Sequence, residues 1–381
     1  MSRTDASLGR GRALLTGYFL GLGVVMALWG ARMPAVQNAA HLTTGSLSLV
    51  LLAAAVGMVA GLQAGGRLAR PERLPALLIG GAVALAAALA LLGQCRTLAS
   101  LLAAALAFGA AHGVLDVAAN TGAVRCQTAY GKPIMSSLHA AYSIGALGGA
   151  ALAVATVGTA HSALFLAVGA ALTASVLVAG PRTLTLSGAD PETFDPQGTD
   201  RDRAPGRVWL LGVLAAASLM GEGAAADWAA VHVHALHANT AVAASAFALY
   251  STGMAIGRLT GDRLTTRFGA PAVVRVGAML AAAGLATGVL ADSMPAALAG
   301  WAVFGLGLSG TVPSLITAAG SHGPRAVATV SVTGYLGLLA GPALIGALAS
   351  ITTLPTALLL PALLAAALAT LARRALENTA P

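Results

Sequence analysis

Three polar residues, His112, Asp116 and Asn120, follow one another at intervals of four within an otherwise apolar segment. Side chains four residues apart lie on one face of an α-helix, so the spacing predicts a polar stripe. A carboxylate inside an apolar span costs about 3 kcal/mol or more unless it is paired, hydrated or protonated. We expect Asp116 to accept a proton or a substrate hydrogen bond, with His112 and Asn120 as substrate-binding candidates. The structural alternative is a neutral acid held by His112 in a static bundle.

Two further acids and a tryptophan lie close together in the second half of the chain, at Glu222, Asp227 and Trp228. Five residues separate the acids, which places them about 140° apart around a helix, so they cannot both face one cavity squarely. Both acids are proton-coupling candidates, and Trp228 is a candidate for stacking on a sugar. The alternatives are an outer gate or helix contact for Asp227, and a membrane-interface position for Trp228.

Four other side chains are candidates for binding a polar solute. Arg32 could hold a carboxylate or phosphate through its guanidinium, or pair structurally with Asp227, and we favour the pairing. Ser136 and His139 share a predicted helix face, and His139 could titrate near neutral pH, bind substrate or be satisfied by a neighbouring helix. Tyr335 lies beside a run of glycines and a proline that we expect to serve packing.

The sequence has no pattern that indicates a metal, a cofactor or covalent catalysis. His232, His234 and His237 have no cysteine or carboxylate cluster near them. Cys95 and Cys126 lie at opposite ends of one predicted helix, so they cannot form a disulfide with each other. Because a phosphate-binding loop and a nucleophile–base pair are also missing, we expect neither an enzyme nor a bound cofactor.

These candidates belong to a chain whose composition is typical of a membrane protein. Hydrophobic residues make up 57% of the 381 residues and charged residues 9%, against roughly 25% charged residues in a soluble domain. So few charges could not cover a soluble surface, and the high hydrophobicity excludes disorder. The net charge of +8 comes from small groups of Lys and Arg between apolar runs, which does not suit a nucleic-acid partner. We therefore expect a protein embedded in the lipid bilayer.

Apolar runs predict twelve membrane-spanning helices in two sets of six. The first six are expected at 13–38, 46–67, 74–93, 98–122, 134–158 and 162–180, and the second six at 208–231, 241–263, 272–291, 296–318, 327–349 and 355–372. The polar stretch 181–207 is typical of a flexible linker. The predicted architecture is an all-α integral membrane protein with two pseudo-symmetric six-helix bundles, 1–180 and 208–381.

The positions of the cations predict the orientation of these spans. With both termini and the linker on one side, 19 of the 21 Lys and Arg residues fall on that side, and Arg32 and Arg96 remain on the other. So strong a bias marks the first side as cytoplasmic. The N-terminal apolar run has no clear cleavage site, so we expect it to be a retained first span.

The two halves repeat in sequence at an offset of 196 residues. Gly57, Gly61, Gly65 and Arg67 match Gly253, Gly257, Gly261 and Arg263, and Phe108 matches Phe304. A period of half the chain indicates a duplicated six-helix unit. Parallel repeats of this kind place the substrate site at the interface of the halves.

The segment Gly257-Arg-Leu-Thr-Gly261-Asp262-Arg263 resembles the Gly-x-x-x-Asp-Arg loop signature of the major facilitator superfamily. The equivalent loop of the first half keeps Arg67 but has Gly66 at the position of Asp262. The resemblance implies a transporter of twelve spans that works by alternating access. It also implies that Arg67, Gly257, Gly261, Asp262 and Arg263 belong to an inner gate, with a carboxylate–arginine network that breaks on opening.

Within that superfamily, Asp116-Val-Ala-Ala-Asn120 resembles the Glu-x-x-x-Asn of the fucose:proton symporter branch. Arg32-Met-Pro34, Pro133-Ile-Met-Ser-Ser137-Leu-His139 and Glu222-Gly-Ala-Ala-Ala-Asp227-Trp228 are similar to an uncharacterised bacterial inner-membrane family near that branch. The symporter branch usually has an acid near the end of the first span, where this chain has Gln37 and Asn38. That departure leaves Asp116 as the main coupling candidate.

The resemblance implies a monomeric secondary transporter that moves a small polar solute, sugar-like or an organic acid, together with protons across the inner membrane. One alternative is a proton-coupled efflux antiporter for hydrophobic compounds. Antiporters of the superfamily often carry a Gly-Pro signature on the fifth span, and Gly145, Gly148 and Gly149 occur here without a proline, which favours uptake. The other alternative is a membrane sensor that keeps the fold without transport.

Overall fold

The computed structural model describes residues 3–184 and 205–376, and the regular structure in these ranges is α-helical. The first half forms α1 (Arg3–Ala31), α2 (Met33–Ala39), α3 (Thr44–Leu68), α4 (Leu74–Gln94), α5 (Leu98–Tyr130), α6 (Met135–Ala155) and α7 (His161–Leu184). The second half forms α8 (Pro205–Ala235), α9 (Thr240–Phe268), α10 (Ala270–Leu290), α11 (Met294–Leu308), α12 (Thr311–Gly320), α13 (Pro324–Ile351) and α14 (Leu354–Leu376). Of the predicted linker, 185–204 lie outside the described residues.

These helices correspond to the twelve predicted spans, two of which are broken. The first predicted span divides at Arg32 into α1 and α2, and Pro34 lies in the first turn of α2, where a missing N–H costs no helical hydrogen bond. The tenth divides at Ser309 and Gly310 into α11 and α12. The class of fold is therefore as predicted and the count of twelve spans is roughly matched, while Arg32 lies at a helix break rather than inside a continuous helix.

Eleven helical segments of the described chain are long and apolar enough to cross a membrane. The eighth predicted span, α9, is not among them, since its second half carries Arg258, Asp262, Arg263 and Arg267. This helix continues to Phe268, so Arg258 lies about 15 Å before its C-terminal end at 1.5 Å per residue. Arg258 also falls within the predicted eighth span, 241–263.

The described chain packs into two compact units. The first contains the chain up to Tyr130, the part from Ala141 to the end of α7, and Gly323–Ala328 at the start of α13. The second contains Gly131–Ala140, which includes the start of α6, together with α8 to α12, the rest of α13 and α14. Gly131–Ala140 and Gly323–Ala328 are the two short segments that each belong to the unit formed mainly by the other half of the chain.

Repeated glycines bring one pair of helices into backbone contact in each unit. In the first unit, a Cβ atom added to Gly57 or Gly109 would overlap a backbone carbonyl of the facing helix, so α3 and α5 touch directly. Gly253 and Gly305 do the same for α9 and α11 in the second unit. Close approach through small residues is how helices pack in lipid, where apolar side chains gain little by leaving their solvent. The repeat in the sequence therefore preserves a helix–helix contact.

Polar groups inside the helical units as a candidate functional site

The predicted stripe of α5 lies buried in the first unit. Helix α5 is 33 residues long, rich in Ala and Leu and free of proline, and it places Asp116 near its middle. His112 and Asn120 are buried, and the Asp116 side chain is only 9% exposed. Asn120 Nδ2 donates to the backbone oxygen of Asp116 at 3.0 Å and to its carboxylate Oδ1 at 3.3 Å. The helix therefore holds an acid and an amide together in an apolar surrounding.

Two further oxygens on this helix are buried without a hydrogen-bond partner in the described chain. Asn120 Oδ1 and Thr121 Oγ1 are buried, and neither has a hydrogen-bond partner among the described residues. Buried polar atoms in native proteins are nearly always satisfied, so such atoms call for an explanation. Both can accept a hydrogen bond, and Thr121 can also donate one. This segment of α5 is therefore suited to a solute that carries hydroxyl or amine groups.

The second unit contains an ion pair that the sequence did not reveal. Arg258 Nη2 on α9 lies 3.8 Å from Glu222 Oε2 on α8. The Arg258 side chain is 7% exposed and that of Glu222 is 32% exposed, so the cation is buried and the acid is partly open. Arg258 lies within the loop signature, between Gly257 and Gly261. A cation inside the predicted eighth span was the signal in the sequence that could have revealed this ion pair.

A histidine and a tyrosine lie within electrostatic range of this pair. The charge of Arg258 acts on both His139 and Tyr250, and the charge of Glu222 acts on Tyr250. The Tyr250 hydroxyl is buried and has no hydrogen-bond partner in the described chain. Carboxylate, guanidinium, imidazole and phenol groups can each form hydrogen bonds or ion pairs with a polar solute. We call Glu222, Arg258, His139 and Tyr250 the second-unit cluster.

The other candidates of the second half are placed differently. Asp227 is exposed, whereas Glu222 is only partly exposed. The indole N–H of Trp228 donates to the carbonyl oxygen of Pro342 at 3.1 Å, and this bond joins α8 to α13. Trp228 is therefore held as a contact between helices, which weakens its candidacy as a stacking surface. Tyr335 is partly buried on α13.

Arg32 binds the end of a helix. Its Nη2 donates to the backbone oxygens of Ala153, at 3.0 Å, and Thr156, and to Thr156 Oγ1 at 3.0 Å. A further hydrogen bond of 3.4 Å reaches the oxygen of Val157. These atoms lie at the C-terminal end of α6, where carbonyls lack helical partners and a cation is favourable. These hydrogen bonds tie Arg32 to the end of α6 within the first unit.

Asp262 also binds a helix end, at the opposite terminus of α6. Its Oδ1 accepts the N–H of Ser136 at 2.9 Å, and its Oδ2 accepts the N–H of Ser137 at 3.1 Å. A Cβ on Gly261 would lie 2.7 Å from Ser136 Oγ, so that glycine permits the approach. The sequence predicted an arginine partner for Asp262. Arg67 and Arg263 are both exposed, and the Asp262 carboxylate caps the positive end of a helix.

The equivalent position of the first unit is closely packed and uncharged. A Cβ on Gly66 would lie 2.5 Å from the Cβ of Ala328 and 3.2 Å from the oxygen of Pro324 at the start of α13. An aspartate at this position would therefore collide with α13. The departure of Gly66 from the loop signature therefore has a steric reason. Gly66 packs closely against the start of α13, whereas Asp262 binds the start of α6 through its charge.

Two of the histidines at the end of α8, His232 and His234, contact neighbouring groups of the protein. The ring Nδ1 of His232 lies 3.3 Å from the indole Nε1 of Trp301, which donates to it, and Nδ1 of His234 lies 3.0 Å from the oxygen of Ala238. No group of three or more His, Cys, Asp or Glu side chains capable of holding a metal ion occurs in 3–184 or 205–376.

Apolar helices in two repeated units, with Asp116 buried inside the first, define a multi-pass membrane protein. The chain is 32% identical over 366 residues to an uncharacterized MFS-type transporter of Yersinia pestis, covering 93% of each chain. It is 31% identical over 378 residues to an uncharacterized transporter of Sinorhizobium fredii, covering 95% of this chain and 97% of the relative. No family model matches the sequence.

The fold has a close counterpart among solved structures. The major facilitator superfamily transporter FucP in its outward conformation superposes with a TM-score of 0.73 at 19% identity, over 97% of this chain and 99% of FucP. FucP of E. coli is a fucose:proton symporter. On the strength of its full-length relatives, the chain belongs to the major facilitator superfamily. It is therefore a membrane transporter and not an enzyme.

Proposed function

We propose that the protein is a proton-coupled secondary transporter that moves a small polar solute, sugar-like or an organic acid, across the inner membrane by alternating access. The observation that carries the proposal is the burial of Asp116, an acidic residue that is 9% exposed near the middle of a 33-residue apolar helix. The proposed orientation has both termini and the linker in the cytoplasm, and the proposed functional unit is the monomer.

The position of Asp116 suits a proton carrier. A charged carboxylate inside a membrane span costs about 3 kcal/mol or more, and taking up a proton removes most of that cost. A protonated acid therefore favours a state in which water is excluded, and a charged acid favours one open to water. The Asn120 amide donates to the Asp116 side chain and so orients the acid whether it is charged or protonated.

The second-unit cluster supports a polar solute as cargo. Arg258 is buried and lies 3.8 Å from the partly open acid Glu222. A substrate hydroxyl or carboxylate can approach the guanidinium from the side of Glu222, and the Tyr250 hydroxyl has an unused hydrogen-bonding capacity. The similarity in fold to a fucose:proton symporter agrees with this class of cargo.

Reconstitution into proteoliposomes tests the role of Asp116. Asp116→Asn keeps the shape of the acid and imitates its protonated state permanently. We expect exchange of substrate between the two sides to continue, because rocking needs no net proton step, and uphill accumulation driven by a proton gradient to vanish. Asp292→Asn makes the same chemical change at an exposed loop residue between α10 and α11 and should behave as the wild type.

The substrate for this assay comes from a screen of sugars, sugar acids and amphiphiles with and without a proton gradient. Gradient-driven accumulation at the wild-type level in Asp116→Asn would falsify the coupling role. Equal loss of exchange and accumulation, with weaker affinity, would make Asp116 a substrate-binding residue instead. Accumulation of amphiphiles in the opposite direction would favour the efflux antiporter, and binding without exchange would favour the sensor.

A further inference from the structure

A groove on the first unit lies apart from the polar residues described above. It has a volume of about 300 Å³ and lies between α1, α4, α5 and α7. Ala13 and Gly17 on α1 and Ser175 on α7 line it and are exposed, so the groove is open at the surface of the unit. The volume is at the lower end of the range for small-molecule sites in proteins.

The lining of the groove is apolar. The α1 side is formed by residues such as Ala13, Leu14 and Leu22, and the α7 side by residues such as Leu172 and Val176. Two hydroxyls reach it, and both already have partners inside the protein. Ser175 Oγ donates to the oxygen of Ala171, and the Tyr18 hydroxyl lies 3.2 Å from Thr183 Oγ1. The groove therefore suits a hydrocarbon better than a polar solute.

Both sides of the groove end in an arginine. Arg10 precedes Ala13 and Leu14 by three and four residues, so it extends the α1 lining by one helical turn. Arg182 follows Ala179 by three residues and extends the α7 lining in the same way. Both arginines are exposed. The Tyr18–Thr183 contact joins the N-terminal part of α1 to the C-terminal part of α7, so both cations lie at one end of the groove.

The length of the groove matches one leaflet of a bilayer. Its α1 lining runs from Ala13 to Val25, which is about 18 Å at 1.5 Å per residue. Half of a hydrocarbon core of about 30 Å is about 15 Å. An acyl chain lying in the groove would thus put its headgroup at the level of the two arginines. Basic sites between helices at the cytoplasmic side are a known setting for anionic headgroups.

We propose that this groove binds one anionic phospholipid from the leaflet at the N-terminal end of α1, with an acyl chain along α1 and α7 and its phosphate against Arg10 and Arg182. The apolar lining accounts for the acyl chain, and the two cations account for selectivity toward a negative headgroup. Each arginine near a membrane surface contributes about a fivefold preference for an anionic lipid. The pair should therefore contribute a preference of roughly 25-fold.

Binding is measured on purified, delipidated full-length protein by native mass spectrometry, with dioleoyl phosphatidylglycerol and dioleoyl phosphatidylcholine as probes. Gly17→Leu fills the groove, since a Cβ at Gly17 meets nothing within 4 Å. Gly9→Leu is the matched control, because Gly9 is also exposed, has equally open space and does not line the groove. Ser175→Leu fills the groove from the α7 side as a second test.

The charge is tested separately from the groove. Arg10→Gln combined with Arg182→Gln should abolish the preference for phosphatidylglycerol while leaving binding of phosphatidylcholine unchanged. Arg12→Gln is the control, because the Arg12 guanidinium lies 6.0 Å from the centre of the Tyr130 ring and so points toward α5.

The outcomes separate a lipid site from its alternatives. The proposal predicts that Gly17→Leu and Ser175→Leu both lose lipid binding, while Gly9→Leu and Arg12→Gln keep the wild-type preference. Wild-type binding in both groove-filling variants would overturn it, and so would a preference that survives removal of Arg10 and Arg182. Displacement of the lipid by glycerol 1-phosphate alone would show a site for a free phosphate and would also overturn it. None of these results depends on whether the protein transports a solute.

Discussion

Replacing Asp262 by asparagine should loosen the start of α6. The first N–H groups of a helix have no partner within it, and two of those of α6, on Ser136 and Ser137, are taken by the Asp262 carboxylate at 2.9 and 3.1 Å. Asparagine keeps one acceptor oxygen but loses the second and the negative charge. A hydrogen bond to a charged group contributes about 1.5–3 kcal/mol, so the expected loss is about 2 kcal/mol.

A loss of about 2 kcal/mol corresponds to roughly a 30-fold change in the equilibrium for opening this contact. Hydrogen exchange followed by mass spectrometry reports on it directly, because the amides of Ser136 and Ser137 exchange only when the carboxylate releases them. We expect the peptide that covers 131–140 to exchange faster in Asp262→Asn by about that factor. Exchange in the interior of α6 should not change, since those amides are bonded within the helix.

The matched control is Arg263→Gln, on the adjacent residue. If Asp262 acted through an arginine, as the loop signature suggested, removing Arg263 would have a similar effect on exchange. If the carboxylate acts through the helix end, as its two short hydrogen bonds indicate, Arg263→Gln should leave the exchange of the peptide unchanged. Unchanged exchange in Asp262→Asn itself would refute the cap and the magnitude derived from it.

Three further predictions concern topology and packing. Cys126 should react with an impermeant thiol reagent only from the cytoplasmic side and Cys95 only from outside, and the opposite labelling would reverse the orientation. Gly113→Leu should lower the thermal stability in detergent, because a Cβ at Gly113 would overlap the backbone of α3, while Gly148→Leu has open space and should not. Arg32→Gln should cost about 2–3 kcal/mol of unfolding free energy by releasing the carbonyls at the end of α6, and a melting temperature equal to that of the wild type would contradict this role.

The class of fold could be predicted from the sequence because lipid leaves the backbone few choices. A segment of about 20 apolar residues must satisfy its own hydrogen bonds, and an α-helix does so within the segment. The repeat at 196 residues was equally visible in the sequence. Gly57 and Gly253, which this repeat relates, make the same kind of close helix contact in each unit. Asp116 was found for a related reason, because an acid in an apolar run is conspicuous whatever surrounds it.

The partners of the charged side chains depended on the tertiary structure. Helical spacing gives the face of a helix on which a residue lies, but not which neighbouring helix covers that face. The carbonyls at the end of α6 bind Arg32, and the N–H groups at its start bind Asp262, and helix ends of this kind carry no side-chain signature in the sequence. The pairing of Arg258 with Glu222 required two helices from separate parts of the chain to be packed together.

The breaks in two of the spans were likewise decided by packing. The predicted spans ran through Arg32 and Gly310 as continuous helices, because the apolar runs on both sides dominate each segment. In the structure Pro34 begins a new helix after Arg32, and Ser309 and Gly310 separate α11 from α12. A local break exchanges a few helical hydrogen bonds for contacts with other helices, and only the assembled units determine whether that exchange is favourable.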